Sequence, residues 1–169
     1  ITANTATQIA VTTPAGSAGA VSVVVTTAGG TATQSAGYTY VAAPTITSLN
    51  PTSGPTVGGA SVTIDGTNLS GASSVTFGGT TATIAANTAT QITITTPARP
   101  AGVVNVVVTT AGGSVTLSDG YTYVATPFIT SLSPGSALVG DPGITLTING
   151  GSFQPSTTVL WNGLARDTA

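Results

Sequence analysis

Residues 37–51 read GYTYVAAPTITSLNP, and residues 120–134 read GYTYVATPFITSLSP. The two stretches lie 83 residues apart and agree at 12 of their 15 positions. Two further pairs have the same offset: ITANTATQIAVTTPA at 1–15 with IAANTATQITITTPA at 84–98, and VSVVVTTAGG at 21–30 with VNVVVTTAGG at 104–113. Agreement of three stretches at one fixed offset identifies an internal repeat, which determines how the chain is organised.

The repeat unit begins at the Pro that follows each GYTYV stretch. Residues 44–126 then form one full repeat, which we call the complete unit. Residues 1–43, the head segment, match only the second half of this unit, and residues 127–169, the tail segment, match only its first half. Two interpretations follow. Either the chain is an excerpt of a long tandem array, or the tail segment of one copy completes the head segment of the next.

Charge is unusually sparse in this sequence. Six of the 169 residues carry a charge, and they are Asp65, Arg99, Asp119, Asp141, Arg166 and Asp167. Gly, Thr, Ala, Ser and Val dominate instead, which predicts an all-β chain because β-branched residues favour strands. A net charge of −2 without a basic cluster argues against nucleic-acid binding, and no apolar run approaches the about 20 residues of a membrane-spanning helix. A surface with so few charges fits a protein covered by neighbouring domains, sugars or assembly contacts.

Alternation of apolar and polar residues marks the strands of the complete unit, and Gly marks its turns. The inward-facing residues predicted by this alternation are Val62, Ile64, Val75, Phe77, Ile92, Ile94, Val104, Val106, Val108, Tyr121 and Tyr123. The predicted turns are Gly58-Gly59, Asp65-Gly66, Gly78-Gly79 and Gly112-Gly113. Short strands at this spacing, in a unit of this length, predict a small sandwich of two sheets.

The ordered motifs of this chain resemble the IPT/TIG domain family, whose members have Ig-like folds. The motifs are PTITSLNPTSGPTVGGASVTIDGTNL at 44–69, VTFGG at 75–79, TTPA at 95–98, the valine-rich strand at 104–110 and GYTYV at 120–124. The tail segment departs from the pattern by having Trp161 and Asn162 where the complete unit has Phe77 and Gly78. The resemblance implies tandem Ig-like β-sandwiches, with one complete unit flanked by two complementary half units. It implies function less directly, because such modules occur in receptors, transcription factors, polysaccharide-active enzymes and bacterial surface proteins.

The residue types present leave little room for chemistry. Without His, Lys, Cys or Glu, a general base would have to be an Asp, and we expect no catalytic residue. Asp65 in its predicted Asp-Gly turn and Asp119 before Gly120 are expected to bond nearby backbone. Asp141, Asp167 and the Asn residues are too scattered to predict a metal site, and no cofactor is expected.

Assembly is therefore the function expected of this chain. The residues predicted to carry it are Val21, Val23, Val25, Ile144, Leu146, Ile148 and Trp161, the last expected to fill a sandwich core as Phe77 does. We expect a non-enzymatic repeat of an extracellular or cell-surface fibre in a bacterium or archaeon, whose partners are copies of itself or neighbouring repeats. The alternatives are an adhesin, a polysaccharide-binding module with glycans as partners, or an accessory domain of a carbohydrate-active enzyme.

Overall fold

The computed structural model of the chain describes residues 1–140, 143–162 and 164–166, the last three as backbone only. Every regular element in this described part is a β-strand, as the composition predicted. The head segment contains β1 (Ala3–Asn4), β2 (Ile9–Ala10), β3 (Gly19–Thr27) and β4 (Gly30–Tyr40). The complete unit contains β5 (Thr45–Asn50), β6 (Ser53–Pro55), β7 (Ser61–Thr67), β8 (Ser74–Phe77), β9 (Thr80–Thr81), β10 (Thr83–Asn87), β11 (Gln91–Thr95), β12 (Gly102–Thr110) and β13 (Gly113–Val124). The tail segment contains β14 (Phe128–Ser133), β15 (Thr147–Gly151), β16 (Val159–Trp161) and β17 (Leu164–Arg166).

The complete unit is a sandwich of two sheets. One sheet has four strands in the order β10-β11-β7-β5, and the other has five in the order β6-β13-β12-β8-β9. All neighbours are antiparallel except β6, which runs parallel to β13. Each sheet combines strands from the first and second halves of the unit. The unit is therefore completed only where β7 meets β11, β8 meets β12 and β6 meets β13.

The core lies between these two sheets and uses the alternating residues of their facing sides. Of the predicted inward residues, Val104 is half-buried and the other ten are almost entirely buried. Phe77, Tyr121 and Tyr123 pack edge to face, with ring centroids 5.0 and 5.1 Å apart for the two neighbouring pairs. Aromatic pairs in this geometry stabilise a core beyond the area that they bury.

The predicted turn at Asp65-Gly66 is wrong, because both residues lie inside β7. Gly66 pairs with Ile46 next to a bulge in β5, and a β-carbon at this glycine would overlap the carbonyl oxygen of Thr45. Gly66 is therefore required for a close approach of two strands rather than for a turn. Asp119 also lies inside a strand, at a bulge in β13, with a φ of 52°.

The head segment reproduces the strand pairing of the second half of the complete unit. β1 pairs with β2 as β10 pairs with β11, and β3 pairs with β4 as β12 pairs with β13, in the equivalent register. The bulge between Val21 and Val23 matches the bulge between Val104 and Val106. The hydroxyl of Tyr40 donates a hydrogen bond of 2.6 Å to the Pro14 carbonyl, where the hydroxyl of Tyr123 donates to Pro97 over 2.9 Å.

The tail segment reproduces the pairing of the first half. β14 pairs with β15 as β5 pairs with β7, including the bulge, and β16 pairs with β17 as β8 pairs with β9. β15 is shorter than β7, however, and begins at Thr147. The two residues before it correspond to Ser61 and Val62, which pair only with β11 in the complete unit. The predicted assembly residues Ile144, Leu146 and Ile148 therefore do not share one strand. Ile144 and Leu146 precede β15, because the tail segment contains no counterpart of β11 to pair with them.

Candidate assembly surfaces at the two ends of the chain

The head segment exposes a stripe of apolar side chains whose counterparts form the core of the complete unit. Val23 is 43% exposed whereas its counterpart Val106 is 0% exposed, and Tyr38 is 41% exposed whereas Tyr121 is 1% exposed. The rest of this set is Val21, Val25, Ile9 and Val11, all of which are exposed. The same sequence pattern is thus buried in the complete unit and exposed to solvent in the head segment. An exposed apolar patch of this kind marks an interaction site.

The exposed tyrosines of the head segment already have the arrangement of the core tyrosines. The rings of Tyr38 and Tyr40 lie 5.1 Å apart at 77°, and those of Tyr121 and Tyr123 lie 5.1 Å apart at 71°. A depression of about 350 Å³ lies beside the head pair. Its apolar lining is Val11, Pro14, Val21, Val23, Val24, Tyr38 and Tyr40. In the complete unit, the corresponding ring Tyr121 packs against Phe77 from the other half.

The tail segment exposes the complementary set. Trp161 ends β16 and is 56% exposed, whereas its counterpart Phe77 is 0% exposed. Phe128, Ile129, Leu132, Ile144, Phe153 and Leu160 are also exposed, and Leu146 and Ile148 are half-buried. The structure therefore places all three predicted head residues on one exposed strand, and Trp161 and Ile148 on exposed or half-exposed strands of the tail. In the described part of the chain, no strand of the head segment pairs with a strand of the tail segment.

Polar contacts that join the two halves of the complete unit were not predicted from the sequence. Arg99 Nη1 donates hydrogen bonds to the Gly78 carbonyl over 2.7 Å and to Thr80 Oγ1 over 2.6 Å. The side chain of Asn87 donates to the Leu69 carbonyl over 2.8 Å and accepts from the Ala72 amide over 3.2 Å. The repeat held a signal for the Asn, since Asn4 occupies the position of Asn87 in the head segment. Arg99 had no such signal, because Gly16 occupies its position there.

Asp65 and Asp119, the two acidic residues considered for catalysis, lie in different sheets. Hydrogen bonds from Gln91 and Ser48 lower the pKa of Asp65 below its usual value. The backbone amide of Asp119 donates to Asn105 Oδ1 over 2.9 Å. The Asp65 carboxylate thus accepts from two side chains rather than from the nearby backbone that the sequence suggested, and Asp119 is held through its backbone amide. The residues described by the structure contain no group of three or more acidic, His or Cys side chains that could hold a metal. Asp141 and Asp167 lie outside those residues.

Stability should depend on pH mainly at alkaline values. Burial raises the pKa of Tyr121 and Tyr123 above the usual value of about 10, and Arg99 partly opposes the rise at Tyr123. A raised folded-state pKa gives stability that is complete below the unfolded value and lost as pH rises through the folded value. Because the chain has no His, Lys, Cys or Glu, we expect a constant melting temperature from about pH 5 to about pH 9 and a fall above about pH 10. Thermal unfolding followed by circular dichroism at each pH measures the melting temperature. A melting temperature that changes between pH 6 and pH 8 would contradict this expectation.

Within the described residues, no helix is long and apolar enough to cross a membrane. The chain is similar to known proteins in both sequence and fold. Fibrocystin-L from Homo sapiens is 33% identical over 124 residues, which are 72% of this chain and 3% of that protein. Two solved structures of the Plexin A4 extracellular region are 28% identical to this chain in sequence. One covers 72% of this chain with a TM-score of 0.53, and the other covers 66% with a TM-score of 0.50. The chain spans 11% and 12% of those two structures, so it corresponds to a small part of each relative.

These similarities confirm the all-β, Ig-like fold that the sequence predicted. The sequence pattern of the IPT/TIG domain matches residues 44–124, which are the nine strands of the sandwich. Domains of this family are typically non-enzymatic modules of extracellular proteins. From the matched residues and the fold together, residues 44–124 of this chain are a member of the IPT/TIG domain family.

Proposed function

We propose that the chain is a non-enzymatic structural repeat of an extracellular fibre and that its copies join head to tail. In the joint, the tail segment of one copy and the head segment of a second copy complete one sandwich. The observation that carries this proposal is the exposure of Val23, Tyr38 and Trp161, whose counterparts in the complete unit are fully buried. An apolar sheet face left open in water is unfavourable, and the face that fits it is present at the opposite end of the same chain.

The ladders of the complete unit give the register of the joint. β7 pairs with β11 and β8 pairs with β12, so β15 should pair with β2 and β16 with β3. The pairing of Thr76 with Val107 corresponds to Leu160 opposite Val24, and that of Ile64 with Ile92 corresponds to Ile148 opposite Ile9. The main-chain hydrogen bonds of both ladders would support affinity in the way that an added strand does in other complexes.

Side-chain complementarity supports the same joint. Trp161 takes the position of Phe77, which packs edge to face on Tyr121, so its ring would fill the depression beside Tyr38. Asp65 accepts a hydrogen bond from Gln91 in the complete unit, and Asn149 and Gln8 occupy these positions in the joint. The ladder between β2 and β15 then carries no charge. Formation of this ladder therefore avoids the desolvation cost of an ionised side chain.

Disulfide trapping tests the joint directly, since the chain contains no Cys and every bond formed is an engineered one. We expect Val24→Cys with Leu160→Cys to form an intermolecular disulfide, because opposite residues of antiparallel strands lie about 4.5–5.5 Å apart at Cα. Both side chains are more than half exposed, so neither substitution should disturb the separate chain. Oxidised samples on a non-reducing gel should show a ladder of dimers, trimers and longer species.

Two other cysteine pairs serve as controls for this experiment. Thr76→Cys with Val107→Cys occupies the same pair within the complete unit and should give an intramolecular bond only. Thr26→Cys with Leu160→Cys is displaced by two residues and should cross-link poorly, since diagonal neighbours are too far apart for a disulfide. Head-to-tail joining between copies would be contradicted if the displaced pair cross-linked as well as Val24→Cys with Leu160→Cys. It would also be contradicted if the latter pair gave monomers alone. Monomers alone are also what an excerpt of a longer tandem array would give, with each segment completed by the next repeat of its own chain.

The extracellular location of the fibre is part of the proposal. It is supported by the similarity to an extracellular region of Plexin A4 and by the scarcity of charge on the chain. A bacterial or archaeal source, and the alternative functions in adhesion or polysaccharide binding, stay predictions.

A further inference from the structure

The linker between the head segment and the complete unit is held by two contacts to its backbone. Asn68 Nδ2 donates a hydrogen bond of 2.9 Å to the Ala43 carbonyl. The Ala42 peptide lies on Gly112, where a β-carbon would overlap the Ala42 carbonyl oxygen and come within 2.7 Å of its carbon. Glycine is needed at this turn position because another strand-connecting backbone passes directly over it.

The counterpart of Gly112 in the head segment is Gly29, and nothing in the chain requires it to be glycine. A β-carbon at Gly29 would meet only Thr27 Oγ1, at 3.7 Å, which is ordinary contact. Its φ does not lie in the left-handed region, in contrast to the φ of 132° at the next residue, Gly30. Gly29 is exposed, so neither packing nor backbone conformation explains why this position lacks a side chain.

The second linker of the chain, at 125–127, repeats the first one at 42–44. It leads from the complete unit into the tail segment, so in the proposed joint it would pass over the head segment of a second copy. Ala125 corresponds to Ala42, and Ser152 corresponds to Asn68 with a similar backbone conformation, at φ values of 60° and 55°. The position that would lie beneath Ala125 in the joint is Gly29 of the second copy.

We infer that Gly29 is a contact residue of the joint, where the Ala125 peptide of the preceding copy lies directly on it. This inference rests on the proposed head-to-tail completion and adds to it the geometry of the linker. The linker at the joint then makes the same backbone contact on a glycine as the linker within the chain. Successive sandwiches along a fibre consequently have one spacing and one rotation, whether their connection crosses between copies or stays within one.

Gly29→Ala tests this contact, with Ala28→Val as the matched control on the same turn. Ala28 is exposed, as is its counterpart Ala111, so added bulk there points away from the linker. We expect Gly29→Ala to leave the melting temperature of the dilute chain unchanged or slightly higher, since alanine restricts the unfolded chain. The backbone overlap should raise the critical concentration for filament formation by about tenfold or more, whereas Ala28→Val should match the wild type.

Sedimentation gives the critical concentration, and electron microscopy of wild-type filaments gives their axial repeat. A single-sandwich repeat with a raised critical concentration for Gly29→Ala is the expected result. If the wild-type chain assembles and Gly29→Ala assembles at the same concentration with the same filament twist, the Gly29 contact is wrong while head-to-tail joining stands. If the wild-type chain does not assemble at all, the proposed function fails and the contact fails with it.

Discussion

Phe77→Ala should lower the free energy of unfolding of the complete unit by about 4 kcal/mol, the largest loss of stability expected from one substitution in this chain. Phe77 is 0% exposed and lies between the sheets, packed on Tyr121. Its removal takes away buried apolar surface and an edge-to-face contact, and leaves a cavity that close-packed neighbours fill only in part. A loss of this size is a large fraction of the stability of a small domain.

Trp161→Ala is the matched control, because Trp161 has the same position in the repeat and a different environment. It is 56% exposed in the separate chain, so its removal should change the stability of the dilute protein by less than about 1 kcal/mol. Urea unfolding followed by far-ultraviolet circular dichroism measures both, below the concentration at which filaments form. Phe77→Leu covers the case in which the alanine variant does not fold, with an expected loss of about 1–2 kcal/mol. Equal losses for Phe77→Ala and Trp161→Ala would show that the tail segment is already packed within its own chain.

This pair of residues illustrates what the sequence can and cannot predict. The alternation around Phe77 predicts correctly which side chains face the core, because a strand places every second residue on one side. The same alternation at Trp161 says nothing about whether a second sheet covers that side. Whether Trp161 is buried depends on strands outside the tail segment. In the complete unit β8 lies between β9 and β12, and the counterpart of β12 is β3 of the head segment.

Gly66 and Arg99 mark two further limits of the sequence. A glycine after an aspartate is typical of a turn, and only the fold reveals that Gly66 permits close approach of β5. Its counterpart Gly150 lies equally close to the Phe128 carbonyl, but it follows Asn149, so the sequence of the tail segment also suggests a turn. Arg99 reaches the hairpin of Gly78 and Thr80 across the sandwich. No local pattern encodes such a contact, because it depends on how distant strands come together.

The absence of an equivalent of Arg99 at the two ends has a consequence for assembly. Gly16 replaces Arg99, and Asn162 and Leu164 replace Gly78 and Thr80, so the proposed joint would lack the contacts that Arg99 makes in the complete unit. Among the described residues, the contacts left to the proposed joint are main-chain ladders and apolar packing. Assembly of this kind should depend little on salt, because screening acts on charges and leaves apolar burial largely unaffected.

Val23→Asp should abolish assembly while leaving the separate chain folded. Val23 lies on the stripe of β3 and is 43% exposed, so the carboxylate remains hydrated in the unassembled chain. Its counterpart Val106 is 0% exposed and lies beside Phe77, its partner on the neighbouring strand. In the joint, the carboxylate would be buried beside Trp161 without a charged partner, at a cost of several kcal/mol.

A penalty of about 3 kcal/mol or more corresponds to a rise in critical concentration of more than about 100-fold. Ala20→Asp is the matched control: it adds the same charge to the same strand at an exposed residue whose counterpart Val103 stays 56% exposed in the complete unit and does not pair with β8. Sedimentation and electron microscopy should therefore show filaments for Ala20→Asp and none for Val23→Asp at equal concentration. Both variants should share the wild-type melting temperature within a few degrees when dilute. Filaments of Val23→Asp at the wild-type critical concentration would mean that this face of β3 stays in contact with water in the fibre, and the sandwich-completing joint would have to be abandoned.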